Sequence, residues 1–241
     1  MAADHEGAGL ASSLTDLMTS LAVIFILLLV AMLNNAREQA ESTKSQVLKL
    51  LQDALQTFRS QGVQVETDPK DPLGILVLVP EDLLRFQQGK SEIPPNGREF
   101  LAGFAPRLVS TACSAELREG ISSIVVEGHA SSEGNERANL QLSQQRSMEV
   151  VKDSLSVLSM LPENPTEPSA LHGCFLEFVS ATGRGSAEPI RTDTGQEDRE
   201  RSRRVVFKIR VRSPEQHLFE RQARIQTEER AASGSYVQDR I

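Results

Sequence analysis

ISSIVVEGHASSEGNERANLQLSQQRSMEVVKDSLSVL, residues 121–158, holds the change of rhythm on which the fold turns. Its opening, Ile121 to Glu127, is a short β-rich run and reads as a strand. From Asn139 onward Leu142, Met148, Val150, Val151, Leu155 and Leu158 supply the apolar positions of a helix that ends at Leu158. A strand that hands over to a helix is the repeating step of an α/β domain.

The alternation continues on both sides. Gly74 to Val79 (GILVLV) reads as a strand, and Asn96 to Ser110 as a helix with Phe100, Leu101, Phe104 and Leu108 on its apolar face. A Pro-rich loop from Leu161 to Ser169 precedes a third strand, Phe175 to Ala181. Arg204 to Arg212 (RVVFKIRVR) is a fourth, with clean period-two alternation. The order β-α-β-α-β-β predicts an α/β sandwich with one layer of helices. Past Pro214 the chain is charged, and is expected to be a helix that frays into a disordered end.

Upstream the character changes. No residue from Leu17 to Leu33 is charged, and LAVIFILLLVAML is too apolar for one face of a soluble helix. That run rises only about 26 Å, at the lower limit for a hydrocarbon core of about 30 Å. Starting at Leu14 gives a comfortable span and puts Asp16 at the membrane boundary. A cleaved signal peptide would need a basic n-region, and residues 1–13 contain neither Lys nor Arg. Residues 34–60 lack Pro and Gly, and Val47, Leu50, Leu51, Ala54, Leu55 and Phe58 recur at helical spacing. They predict an amphipathic helix, ended by Gly62 and the loop from Thr67 to Pro72.

Asp16 supports two readings. Beside Ser12, Ser13 and Thr15 it could cap or open the helix, where the dipole favours an acid. Alternatively it is an intramembrane carboxylate, which costs a few kcal/mol unless protonated or paired and so marks an ion pathway. Thr19 and Ser20, three and four residues on, place hydroxyls on its face.

The chain has 241 residues, a net charge of -7 and a pI near 5.3. Its one dense basic run, Arg199 to Arg204, is interleaved with acids and strand residues, which argues against a nucleic-acid surface. Cys113 and Cys174 form no CxxC pair and no metal-ligand spacing with the four scattered histidines, so no metal or cofactor is expected. The two thiols fit one disulfide or two unrelated buried residues equally. Without a plausible nucleophile–base pair, no enzyme is expected.

Four stretches, in order, resemble the C-terminal domain of the OmpA family, a peptidoglycan-binding module. They are Phe86 with Gly89-Lys90-Ser91, Ile93, Pro95 and Gly97; Val126-Glu127-Gly128-His129 with Gly134, Asn139, Leu142-Ser143 and Arg146; Gly183-Arg184-Gly185 with Pro189; and Arg199, Arg203, Arg204 and Val205. The resemblance covers residues 74 to 212. It implies that Arg146 forks onto a carboxylate of the wall's peptide stem, with Asn139, Ser131, Glu133 and Arg204 as further wall-contacting candidates. Ala130-Ser131 stand where the family has Thr-Asp, so the acid for the ligand's ammonium is absent, and Glu127 or Glu133 are the possible substitutes. For Asn139 and Ser143, capping and loop bracing is an equally good reading.

Thr15-Asp16-Leu17-Met18-Thr19 resembles the start of the membrane helix in MotB-type stator subunits, and within that class the wording is most similar to the B subunits of Zorya anti-phage defence systems. The resemblance implies a subunit of an ion-driven rotary motor, with a proton as the expected ion. Asp16 would be the ion carrier, assisted by Thr19 and Ser20. The implied partners are a multi-span A subunit forming a pentameric ring, a second copy of this chain, the membrane and peptidoglycan. The layout would be a cytoplasmic tail at 1–13, a transmembrane helix at 14–33, a linker helix and loop at 34–72, a periplasmic OmpA-like domain at 73–212 and a charged tail at 213–241. Positive charges at Arg37, Lys44 and Lys49 follow the helix and oppose that inner-membrane orientation. A flagellar-type stator and a passive tether between inner membrane and cell wall are the alternatives.

Overall fold

The computed structural model describes residues 3–84, 86–161 and 170–213, with positions 216, 219, 223 and 226 beyond; side chains are described from residue 15, Ala40 excepted. The Pro-rich loop past Leu161 and the charged tail, those four positions aside, lie outside the described residues. The chain divides into two compact units, Met1–Ser42 and Thr43–Ile241.

From Leu10 to Ala54 the sequence contains neither Gly nor Pro, so nothing interrupts helical hydrogen bonding. The result is α1, Ala3–Ala54. Residues 3–13, expected as a tail, are thus helical. In the first unit the large apolar side chains from Leu17 to Leu33 are all exposed. Among the described residues this is the one helix long and apolar enough to cross a membrane, judged by length and composition.

In the second unit the helix changes role. Val47, Leu51 and Leu55, spaced four apart, are at most 1 % exposed, and Phe58 in the short α2 (Gln56–Arg59) continues their stripe. Phe58 meets the rings of Phe100 and Phe104 edge-on at 5.8 and 5.6 Å. The domain's core therefore draws on residues well ahead of position 73. Gly62, at φ +88°, then turns the chain into β1, Gln64–Thr67. That strand falls inside the stretch expected as linker and loop, because its exposed polar residues carry no apolar alternation.

The remaining elements are β2 (Gly74–Leu78), α3 (Pro95–Ala112), β3 (Ile121–Gly128), α4 (Glu136–Ser159), α5 (Ala170–Phe178), β4 (Val179–Gly183), α6 (Arg199–Ser202) and β5 (Val205–Val211). They form one mixed sheet in the order β1-β2-β5-β3-β4, antiparallel except where β3 runs parallel to β4. Alternation assigns the two faces. Ile75, Val77, Ile124, Val126, Phe207 and Ile209 are buried in the core with α3 and α4. Leu76, Leu78, Glu127 and Lys208 belong to the other face and are half-buried. The α/β class with helices on one face is as expected.

Two details differ from the sequence reading or complete it. Phe175 to Phe178, expected as strand, belongs to α5, and pairing begins only at Val179 opposite Ile124. Cys174, Phe175 and Phe178 are buried at helical spacing, a pattern that a short apolar run cannot distinguish from a strand. Cys113, capping α3, is bonded to Cys174 of α5, with Cα atoms 6.3 Å apart. Of the two readings open for these residues, the disulfide is the one realised.

Candidate functional site

The strand-to-helix stretch builds a cleft because two glycines let α4 sit against the sheet. A Cβ at Gly128 would lie 2.0 Å from the Ser143 carbonyl oxygen, and one at Gly183 would lie 2.5 Å from the Gln144 nitrogen. Asn135 caps α4, its Oδ1 accepting from the backbone N–H groups of Arg137 (2.8 Å) and Ala138 (3.4 Å). Three turns in, this close seating leaves Arg146 only 1 % exposed.

A buried guanidinium needs acceptors. Arg146 donates from Nε to the Lys90 carbonyl at 3.0 Å and from Nη2 to the Gln87 carbonyl at 3.2 Å. Its centre stands 5.0 Å from the Phe86 ring centroid, a cation–π contact. Burial, reinforced by the charge of Arg203, lowers its pKa to about 10, so it stays cationic at neutral pH. Its Nη1 is buried with no hydrogen-bond partner among the described residues. Arg146 also lines a cleft of about 220 Å³ with Gly89, Ser131, Glu133, Asn139, Leu142 and Arg203 among others.

Four of the predicted wall-contacting residues thus gather here. Asn139 uses Nδ2 to brace the loop, donating to the carbonyls of Ser131 (3.0 Å) and Glu133 (2.9 Å). Ser143 Oγ donates to Leu140 O at 2.8 Å and accepts from the N–H of Gly185 at 2.9 Å. The Glu133 carboxylate is engaged by Arg199 at 2.7 Å and lies 3.9 Å from Arg203. The cleft therefore offers cation to a ligand, while its one lining carboxylate is already paired.

Arg204 is not in this cleft. It lies in a second one on the other face of the sheet, with His129, Glu127, Arg184 and Glu188. Motif spacing alone did not separate it from Arg203, which caps α6 and lines the first cleft, whereas Arg204 lies just ahead of β5. Sequence reasoning also missed Arg203 as a cleft residue, and the Gln87 and Lys90 carbonyls that position Arg146, since backbone acceptors leave no trace in residue type.

In the first unit Asp16, Thr19 and Ser20 are exposed along α1. Because α1 begins at Ala3, Asp16 lies more than three turns inside it and does not cap it. Thr19 Oγ1 donates to the Thr15 carbonyl at 2.6 Å.

Residues 85–203 match the OmpA family and form an OmpA-family domain. Over most of its length the chain is similar to two Escherichia coli proteins, each a "Zorya protein ZorB". The one from the Crooks strain is 26% identical over 213 residues, covering 82% of this chain and 86% of that protein. The one from O139:H28 is 26% identical over 204 residues, covering 82% and 78%. Among solved structures, a putative MotB-like protein from Desulfovibrio vulgaris is 21% identical, covers 73% of this chain and 99% of its own, and has a TM-score of 0.49. A periplasmic domain of Helicobacter pylori MotB is 17% identical, covers 69% and 92%, and has a TM-score of 0.45.

Proposed function

We propose that this chain, an OmpA-family domain behind one apolar helix, is the B subunit of a MotB-like stator: an ion-driven rotary membrane motor acting in anti-phage defence. The observation that carries the reading is the position of Asp16, a carboxylate well inside a continuous helix, at the head of its apolar stretch, rather than at the helix cap. An ionised Asp costs up to about 3 kcal/mol as it moves into lipid unless paired, whereas the protonated form is tolerated. Such a group holds a proton while it faces lipid and releases it beside a polar partner. Its environment therefore cycles with its charge.

In the motor reading the polar partner is a multi-span A subunit, its helices ringing a dimer of this chain. The ring is expected to be a pentamer. Ser20 and Thr19 share the face of Asp16 and would complete the ion's coordination. Proton uptake weakens the hold of Asp16 on the ring and release restores it, so alternation drives relative rotation. The torque must be resisted elsewhere, and the Arg146 cleft supplies the grip: its unpartnered Nη1, with Arg203 beside it, suits a carboxylate of the wall's peptide stem. Asn139 and Ser131 shape that cleft, and Glu133 closes its side.

The disulfide supports placing the domain on the periplasmic side, since such bonds persist in oxidising compartments. Of the positive charges that argued the other way, Lys44 donates to the Pro72 carbonyl at 2.8 Å, a structural use that accounts for its place in the sequence. The similarity to Zorya proteins over 86% of the Crooks-strain protein favours defence over flagellar rotation.

The experiment is Asp16→Asn in cells that carry the full defence locus. The variant should co-purify with its multi-span partner and give no protection in plaque assays. Full protection by Asp16→Asn would sink the ion-carrier role, and failure to recover a multi-span partner with the wild-type chain would sink the motor.

A further inference from the structure

The sheet face opposite the helices carries a larger cleft, of about 640 Å³, which the anchoring role leaves unused. Its floor is apolar, made by Leu76, Leu78 and Val206, with Leu78 paired to Val206 across the strands. Its two edges differ in charge. Glu66 of β1 and Asp82, past the end of β2, line it with acids; Arg201 of α6, Arg204 just ahead of β5 and His129 just after β3, with Glu127 beside it, line it with bases.

The ion pairs around the cleft leave an imbalance. Lys208 is held by Asp68 (2.6 Å) and Asp71 (3.0 Å), and Lys70 and Arg184 both meet Glu188, at 3.2 and 2.6 Å. Arg201 and Arg204 have no ion pair among the described residues. Arg204 gives Nη1 to a main-chain carbonyl, that of Glu188, at 3.2 Å. Next to them His129 is 1 % exposed, and its Nδ1 is buried without a hydrogen-bond partner among the described residues. Glu127, 3.9 Å from His129 Nε2, and Glu188 temper the positive charge here. Two guanidiniums outside any ion pair, beside an imidazole nitrogen without a partner, still present a seat for an anion.

The acidic edge limits what that anion can belong to. A polyanion would meet the acids across the floor, whereas an ammonium would be welcomed there. Glu66 stands level with Lys208, two strands across and four residues along from Arg204. The two edges therefore lie roughly 16 Å apart at the backbone, a gap that the long Glu and Arg side chains can narrow to the reach of a short extended peptide. We propose that this cleft binds a short zwitterionic peptide, with its carboxylate at Arg201, Arg204 and His129, its ammonium at the Glu66 and Asp82 edge, and small side chains on the apolar floor.

The test uses the full chain in nanodiscs with ¹³C-labelled histidine, titrated with tri-alanine and followed by NMR. The His129 signal is assigned by its loss in His129→Asn. It should shift saturably, and C-amidated or N-acetylated tri-alanine should bind at least about tenfold more weakly, since each cap removes one charge-assisted contact. Glu66 is exposed, so Glu66→Lys should keep the fold; it should weaken tri-alanine to a similar degree and leave sacculus pull-down unchanged. No saturable shift by about 10 mM peptide, a range that still reports millimolar affinity, would overturn the proposal. So would equal binding of the capped peptides, or a stronger response to inorganic phosphate. Loss of sacculus binding in the wild-type chain would strike the wall-anchor reading and leave this cleft untouched.

Discussion

Gly128 at the end of β3 and Ser143 on α4 are in direct backbone contact: a Cβ at 128 would stand 2.0 Å from the Ser143 carbonyl oxygen. No rotamer change relieves that clash, because the opposing atom is main chain. Gly128→Ala should cost at least about 3 kcal/mol, at the upper end for overpacking, by lifting α4 from the sheet. Urea unfolding of the full chain measures it, and a loss under about 1 kcal/mol would contradict the close seating.

Arg146 combines two duties that substitutions can separate. Arg146→Ala removes the donors to the Lys90 and Gln87 carbonyls and leaves a void under Phe86, so stability should fall by about 2–4 kcal/mol. Arg146→Lys keeps the charge but not the fork. Its stability loss should be smaller, while sacculus pull-down drops at least about tenfold. Equal pull-down by wild type and Arg146→Lys would remove Arg146 from the wall contact.

The disulfide closes a long loop, its cysteines 61 positions apart. On the chain-entropy estimate its removal should cost about 4 kcal/mol. The double variant Cys113→Ser/Cys174→Ser should therefore unfold at markedly lower urea. In intact cells the wild-type thiols should resist alkylation until a reductant is added; free thiols would place the domain in a reducing compartment.

His129 makes the domain acid-sensitive ahead of its carboxylates. Burial, aided by the charge of Arg204, lowers its pKa to about 3, against about 6.5 in the unfolded chain. The unfolded state therefore takes up a proton below about pH 6.5 that the folded state refuses. Stability is fully present above that pH and falls towards pH 3, at up to about 1.4 kcal/mol per unit. Glu188 adds a second loss at lower pH. Burial opposes its ionisation, but hydrogen bonds from Arg184 and Lys70 prevail and hold its pKa at about 2, so its contribution fades below about pH 4.5. His129→Asn should flatten the slope between pH 6.5 and 4.5; an unchanged slope there would assign the sensitivity to other groups.

What the sequence disclosed followed from how strongly periodicity and spacing are imposed. The strand before Gly128 and the helix carrying Arg146 were legible because each buries one face; Gly128 meets Ser143, and Asn139 and Arg146 line one cleft. β1 was not legible, since an edge strand of Gln, Val, Glu and Thr has little to bury. The start of β4 was misplaced because Phe175 and Phe178 satisfy a helix and a strand alike. Arg204 was grouped with Arg146 by the family resemblance, but it lies just ahead of β5 and lines the cleft on the opposite face of the sheet. No residue-level pattern marks the Gln87 and Lys90 carbonyls, which act through the backbone.

A bond between Cys113 and Cys174 does not survive where thiols are kept reduced. The chain is made with two separate sulfurs, and the α3–α5 junction is sealed only after an oxidant reaches it. In the proposed periplasmic orientation the bond would be a covalent record of each molecule's delivery. A copy stranded at its place of synthesis would then be an unfinished domain, easier to unfold and degrade than one that has arrived.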